Sequence, residues 1–390
     1  MSKSNKHKRE DVLFEIEQPE DEVLESAEDI VSPFDPKDIK IIVEPKTIDH
    51  LVSRLRFDEI DLNTEFQRKG NLWSHDKQCR LIESIMLRLP LPAFYFDATN
   101  DNKWLVVDGL QRLWSLKNFI VNAELNDENN KPITLTGLEI LTDYNNKEIT
   151  YNLLNRTMQR RILETPITTY LIQPGTPKKV KYNVFKRINS GGLGLNAMEI
   201  RNALNQEQTD HKTSPAQFLK DLSEDDRLKA VLRVQDKRME DRELLLRAYS
   251  FIDKDFSEYE KPLSTYLDKA METLSGKTNI ELNKISSGIV SAVHFQKDIF
   301  GKHIFSRSIL GGKTRVTLNS ALFEVWVSEI YKLNDSQKAR LISKKSDLIR
   351  EYKKLLTKEE FVNAVVSSTS SKGAVKIRFG TIQTLIKKFI

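Results

Sequence analysis

The chain has 390 residues, 39% hydrophobic and 30% charged, with 14 glycines and 12 prolines, enough apolar material for about two domains of roughly 100–200 residues each. That composition excludes collagen-like and low-complexity classes, and the single cysteine, Cys79, excludes a disulfide framework or a multi-cysteine metal site. A formal charge of +5 hides an asymmetry: residues 1–38 hold 12 acidic and 5 basic side chains, while Ser336–Ile390 hold 13 basic and 4 acidic.

Residues 1–38 read as a disordered acidic tail, with Pro19, Pro33 and Pro36 and little periodicity. Order begins with the β-branched run Ile39–Glu44. Thr47 then caps a helix that places Ile48, Leu51, Val52 and Leu55 on one face. Phe57–Leu62 alternates like a strand. The segment SHDKQCRLIESIMLRLPLP is an amphipathic helix capped by Ser74 or Asp76, striped by Leu81, Ile82, Ile85, Met86 and Leu89, and stopped by Pro90.

Strands are expected at Ala93–Asp97 and Trp104–Val107, separated by the turn TNDN, with Phe94, Tyr95 and Phe96 packing in a core. DGLQR and the helical LWSLKNFIV follow; Asn122 to Lys147 is a polar insertion or ragged hairpin. Asn155–Leu163 reads as helix and Pro166–Ile172 as strand. From Lys178 the pattern is helical, with segments at Ser214–Leu222, Arg238–Phe256, Lys261–Leu274, Asn319–Leu333 and Ser336–Leu356. The fold class is α+β: a mixed N-terminal domain over 39–175 and a helical domain with a basic C-terminus over 176–390.

Chemistry concentrates where the strand WLVV hands over to a helix. Gly109 lets backbone approach a ligand closely, and helix-start amides attract phosphate. Arg112 can present a bidentate fork, Asp108 can hold a hydrated metal ion or orient Arg112, and Gln111 can position water or a phosphate oxygen. Alone, this pattern is equally a common Asp-Gly turn with a surface arginine. EFQRKGNLW adds Gln67, Arg68 and Lys69 as anion donors, with Trp73 as an apolar anchor or stacking platform. FKRINSGGLGLNAMEIRNAL adds a glycine-rich turn through Gly191, Gly192 and Gly194, and Asn196 as a helix cap.

Together FQRKGNLW, LIESIMLRLPLPAFYF, VVDGLQRLWSL and FKRINSGGLGLNAMEIRNAL resemble, over about Ile42–Leu204, a bacterial family marked by an Asp-Gly-Gln-Gln-Arg motif. It is typified by the GmrS/GmrD modification-dependent restriction proteins, with an N-terminal domain related to ParB and sulfiredoxin. The later RMEDRELLLRAYSF and KGAVKIRFG are compatible with it but less diagnostic. The resemblance implies a ParB-like nucleotide-binding domain and NTP hydrolysis coupled to DNA restriction in antiphage defence, while the single cysteine and the lack of a long apolar run fit a cytoplasmic location. Asp108, Gly109, Gln111 and Arg112 match the signature, Gln67 and Arg68 the preceding Gln-Arg element, and Asn189 and Gly192 the asparagine–glycine element.

That correspondence assigns catalysis to Asp108, Gln111 and Arg112, Mg²⁺ to Asp108, and nucleotide contacts to Gln67, Arg68, Gly109, Asn189 and Gly192. The family's first glutamine is Leu110 here: catalysis is weakened if that side chain reaches the nucleotide, whereas a core position merely adds packing. The His-Asn-His nuclease of many relatives is not evident, so DNA cutting is expected of a partner chain; a homo-oligomer is compatible. His294 and His303, with Asp298 between them, read as ordinary histidines rather than a metal site. LGGKT is not a P-loop, because Arg307 occupies the first glycine position.

Lys338, Arg340, Lys344 and Lys345 form a basic helical stretch that suits DNA phosphates as well as a solvated surface. No apolar run reaches a membrane span and no secretory signal is seen. A rival reading is a non-catalytic DNA-binding sensor or clamp switched by nucleotide.

Overall fold

In a computed structural model the described residues are 15–17, 35–62, 73–125, 131–145, 147–188, 196–206, 212–232, 234, 238–311 and 317–390. The chain forms two compact units, Val31–Leu204 and Asn205–Ile390, the second joined by the N-terminal Met1–Ile30. The helices at Lys178–Ile188 and Ala197–Leu204 therefore go with the sheet unit, later in the chain than a boundary near 176. The acidic segment is not wholly without structure. Strand β1 (Glu15–Glu17) pairs in parallel with Thr317–Asn319, placing Ile16 opposite the buried Leu318.

The sheet unit carries a five-stranded mixed sheet. Strand β2 (Ile41–Thr47) leads into helix α1 (Ile48–Arg56), which buries the four apolar residues its spacing selects. Thr47 occupies the cap position without a side-chain cap bond. Strand β3 is only Ile60–Asp61, shorter than the alternation of Phe57–Leu62 suggests, because Phe57 is 74% exposed and the chain turns at Asp58, φ +55°. Helix α2 (His75–Met86) is capped by Ser74, whose Oγ accepts from Lys77 N. It ends before Pro90, at a turn where Arg88 adopts φ +60°. Leu89 is thrown outward, 48% exposed rather than in the stripe.

Strands β4 (Phe94–Asp97) and β5 (Trp104–Asp108) pair antiparallel with a bulge between Tyr95 and Phe96. Helix α3 (Leu110–Leu116) continues through a π segment, Lys117–Val121, and a last turn at Asn122–Leu125. In the polar stretch that follows, Ile133, Leu135 and Leu138 are buried, so it packs on the core rather than standing off it. Helix α4 (Arg156–Leu163) is capped by Asn155. Strand β6 (Pro166–Ile172) completes the sheet, in the order β2-β6-β4-β5-β3. Phe94, Phe96, Trp104, Val106, Ile167 and Leu171 project from one face into a single core with α1, α2 and α3. Helices α5 (Lys178–Ile188) and α6 (Ala197–Leu204) close the unit.

The second unit is helical: α7 (Pro215–Glu224), α8 (Glu240–Asp253), α9 (Leu263–Gly276), α10 (Asn279–Phe300), strand β7 (Thr317–Asn319), α11 (Ser320–Tyr331), α12 (Asp335–Ser343), α13 (Lys345–Leu355), α14 (Glu359–Val366) and α15 (Lys372–Lys387). The segment Ser336–Leu356 is thus two helices broken at Lys344, not one. Helix α10, 22 residues long, starts with a Thr278–Glu281 capping box.

The two later stretches that are only compatible with the family meet in this unit. Arg247 of α8 and Arg378 of α15 both donate to the carboxylate of Glu324 on α11, which is fully buried; the Arg247 Nε–Glu324 Oε2 distance is 2.8 Å. Such a triad holds register, since removing one partner would strand a buried charge.

Candidate functional site

The strand-to-helix corner at Asp108–Arg112 is shaped by one glycine. Gly109 adopts φ +102°, ψ 8°, and an added Cβ would sit 2.5 Å from Phe94 Cδ1. The position therefore requires glycine twice over, for backbone conformation and for space. Leu110, immediately after it, is buried in the core at 4% exposure. The departure from the family's glutamine falls on a packing position.

Arg112 is 8% exposed and committed to its own domain. Its Nη2 donates to Ala93 O at 3.0 Å and to Asp108 Oδ2 at 2.9 Å, and its Nη1 donates to Pro92 O. The guanidinium also lies 4.4 Å from the Phe94 ring centre, a cation–π contact. Burial lowers its pKa and Asp108 opposes that, so arginine, the most persistently charged side chain, suits the place. Arg112 thus ties the approach to β4 to the end of β5, and its near-burial leaves Asp108, with a side chain 43% exposed, as the charged group that faces outward.

Tyr95 stands in register between Asp108 on β5 and Tyr170 on β6. The two tyrosine rings stack at 4.6 Å with an 11° tilt, and burial, then Tyr170 and Asp108, raise the Tyr95 phenol pKa. Of the FYF trio, Phe94 and Phe96 are wholly buried as core, whereas Tyr95 is half-buried on the opposite face.

Gln111 reaches away from the corner to the end of the preceding loop. Its Oε1 accepts from Trp73 N at 3.1 Å, while Gln78 Nε2 donates to Trp73 O at 3.0 Å. Gln78 Oε1 in turn accepts from Asn118 Nδ2, and Asn118 Oδ1 accepts from Asn122 Nδ2. Trp73 packs against the hydrophobic core, so it serves as the apolar anchor. The signature motif and the end of EFQRKGNLW are therefore brought together.

Gln67 and Arg68 themselves lie outside the described residues, as do Lys69, Asn189 and Gly192. Flanking them, Asn196 caps α6 in a reciprocal box: Glu199 N donates to Asn196 Oδ1 at 2.8 Å and Asn196 N to Glu199 Oε2 at 2.6 Å.

Two supports are not visible in the sequence. Lys181 on α5 bridges Asp97 Oδ2 and Thr99 Oγ1, each at 2.9 Å, with both charged side chains almost buried; this fastens the helix that leads into the Asn189 element to the end of β4. Only the position of Asp97 at a strand end hints at it. Glu83 on α2 accepts from the backbone N–H groups of Glu139, Ile140 and Leu141 at 3.1, 2.7 and 2.7 Å. Burial pushes the Glu83 pKa up, but the three amides and Arg80 outweigh it and leave the carboxyl below its ordinary range.

Of the basic quartet, Arg340 and Lys344 are exposed and Lys338 is half-buried, all in the run Asp335–Lys344; Lys345 starts the next helix and donates to Asp298 O. Arg350, Lys354 and Lys388 nearby are matched by Asp347 and Glu351. Among the described residues no group of three or more His, Cys, Asp or Glu side chains could hold a metal. His294 Nε2 lies 3.0 Å from Arg227 O and His303 Nδ1 2.9 Å from Ser308 Oγ. Among the described residues no helix is long and apolar enough to cross a membrane.

Compared with known protein families, residues 50–206 match the model described as the GmrSD restriction endonuclease N-terminal domain. No curated protein and no solved structure matches the chain.

Proposed function

We propose that this chain, whose residues 50–206 match the GmrSD restriction endonuclease N-terminal domain, is the nucleotide-binding component of a restriction system acting on DNA. The observation that carries the reading is the corner itself: an outward-facing Asp108 carboxylate, held from behind by buried Arg112, at a turn that the buried Gly109 packs against Phe94. Gln111 adds a tether to the chain end of the Gln-Arg loop.

The division of labour differs from a pair of arginine forks. Arg112 is a positioning residue: it orients Asp108 and fixes the corner. The cation that meets a triphosphate is then Arg68, assigned through the family likeness, and Asp108 is the group that meets Mg²⁺. A magnesium ion is commonly held by one or two carboxylates plus substrate phosphates. A lone, half-exposed Asp108 fits such an ion arriving with its nucleotide and does not fit a site built wholly by protein. When bound, Mg²⁺ would supply charge neutralisation for phosphoryl transfer. The chain's own part is to set the carboxylate through the Arg112 bonds to Asp108, Pro92 and Ala93. Arg340 and Lys344 extend the reading to DNA phosphates, with cleavage left to a nuclease partner.

One observation favours a second reading, the nucleotide-switched clamp without turnover: the signature arginine is spent on backbone carbonyls. Binding and phosphate release measured on one sample, with each NTP and Mg²⁺, separate the two. The enzyme reading expects both in the wild type and neither in Asp108→Asn. Saturable binding without phosphate release selects the clamp, and no binding of any NTP rejects both.

A further inference from the structure

Strand β2 is one edge of the five-stranded sheet, and its outer side has an unusual composition for an edge. Bonds from Gln173 N to Lys40 O and from Ile48 N to Thr165 O fix the alternation: even-numbered residues turn their main-chain groups toward β6, so Ile41 and Val43 turn theirs outward. The side chains there are apolar and open, with Ile42 41% and Val43 56% exposed, and Ile39 beside them 41%. An apolar strand whose main-chain groups point outward from the sheet is a template for another strand.

We propose that the occupant is a second copy of this chain, paired antiparallel through β2 about a two-fold axis at Ile42. Charge selects that register. With the axis at Ile42, Lys40 lies opposite the second copy's Glu44, twice by symmetry, and Ile42 meets its own counterpart at the close, non-hydrogen-bonded spacing. Ile41 and Val43 exchange both main-chain bonds with the second copy's Val43 and Ile41, giving four in all.

Moving the axis to Val43 sets Lys40 against Lys46 and Ile41 against Pro45, which has no N–H to give. Moving it to Ile41 sets Glu44 against Asp38. Both alternatives face like charges, so one register stands out. Glu44 already holds Lys46 at 2.7 Å within the strand and would be shared between that lysine and the incoming Lys40.

The pairing closes on itself. The same patch serves both copies, joining two five-stranded sheets into one of ten strands. Pro45 and Lys46 end the pairable stretch and prevent a longer, aggregating edge. No residue of the Asp108 corner takes part, so the inference stands apart from the nucleotide reading.

The test is sedimentation of the full-length chain over about 1–100 µM without nucleotide, a range that spans common dimer affinities. The expected result is a concentration-dependent dimer. Glu44→Lys, which opposes lysine to lysine twice, should weaken it by about tenfold or more, and the double exchange Lys40→Glu with Glu44→Lys should bring it back. Val43→Pro, which removes an outward N–H and no bond to β6, should leave a folded monomer, checked by circular dichroism and a single cooperative melt that no longer depends on concentration. A wild type that stays monomeric throughout would overturn the proposal. So would a dimer indifferent to Glu44→Lys and Val43→Pro, or a charge exchange that restores nothing.

Discussion

Replacing Arg112 by alanine separates a positioning clamp from a ligand-facing fork. In the structure the guanidinium satisfies the Pro92 and Ala93 carbonyls and one oxygen of Asp108, under 8% exposure. An acceptor left without its donor costs about 1–3 kcal/mol when buried. Pro92 is exposed, so water can replace part of the loss there, and Asp108 is solvated enough to need no replacement. The Ala93 carbonyl, the missing cation–π attraction over Phe94 and the void left beside Gly109 remain, and together give about 2–4 kcal/mol.

Urea denaturation followed by tryptophan fluorescence reads this unit preferentially, because Trp73, Trp104 and Trp114 lie in it and only Trp326 lies in the other. Arg112→Lys should recover less than half of the loss, since an ammonium lacks the planar fork that bridges three acceptors. If Arg112→Ala unfolds within about 0.5 kcal/mol of wild type, the clamp argument is refuted, because that is the range of an ordinary surface substitution.

Other substitutions give independent readings. Gly109→Ala should destabilise the sheet unit by about 2 kcal/mol or more, from the positive φ and the approach to Phe94, read by the same denaturation. Leu110→Gln, which restores the family residue, should lose about 1–3 kcal/mol through an amide buried without a partner and should not increase phosphate release from any NTP; a gain in turnover would show that the side chain reaches the ligand. Glu83 has a folded pKa below its ordinary value, so its contribution is complete above the unfolded pKa and is lost as pH falls through the depressed one. Wild type should therefore lose its stability advantage over Glu83→Gln on acidification, and a constant difference across that window would contradict the three-amide account. Arg340→Glu with Lys344→Glu should weaken DNA binding and lower the slope of log affinity against log salt by about 0.9 for each DNA phosphate left unneutralised, whereas Lys345→Ala, already bound to Asp298 O, should change it little.

Much of this architecture is legible from residue spacing. Pro166–Ile172 is a strand with the bounds its β-branched run suggests, α1 buries the four residues of its stripe, and Asn155, Ser74 and Asn196 cap where their side chains allow. The failures share a cause, which is that local pattern carries no tertiary partner. Leu89 continues a helical stripe on paper, but the helix stops at Met86 and Arg88 turns the chain. Helix α10 does not stand out in the sequence because its run of small and polar residues, KISSGIVSA, blurs the period that packing makes clear. Around the site, residue chemistry marks Asp108, Gly109 and Arg112 as one cluster. It does not show that Arg112 turns inward to Pro92 and Ala93, because nothing in a five-residue motif records carbonyls 19 and 20 positions upstream. Glu83 and Lys181 likewise find their partners 56 and 82 positions away.

The most direct test is a crystal soaked with a non-hydrolysable NTP analogue and Mg²⁺. The account predicts triphosphate density beside the Asp108 carboxylate, the ion within reach of an Asp108 oxygen, and Arg112 still bonded to the Pro92 and Ala93 carbonyls. Nucleotide bound away from this corner, or Arg112 swung out onto the phosphates, would contradict it.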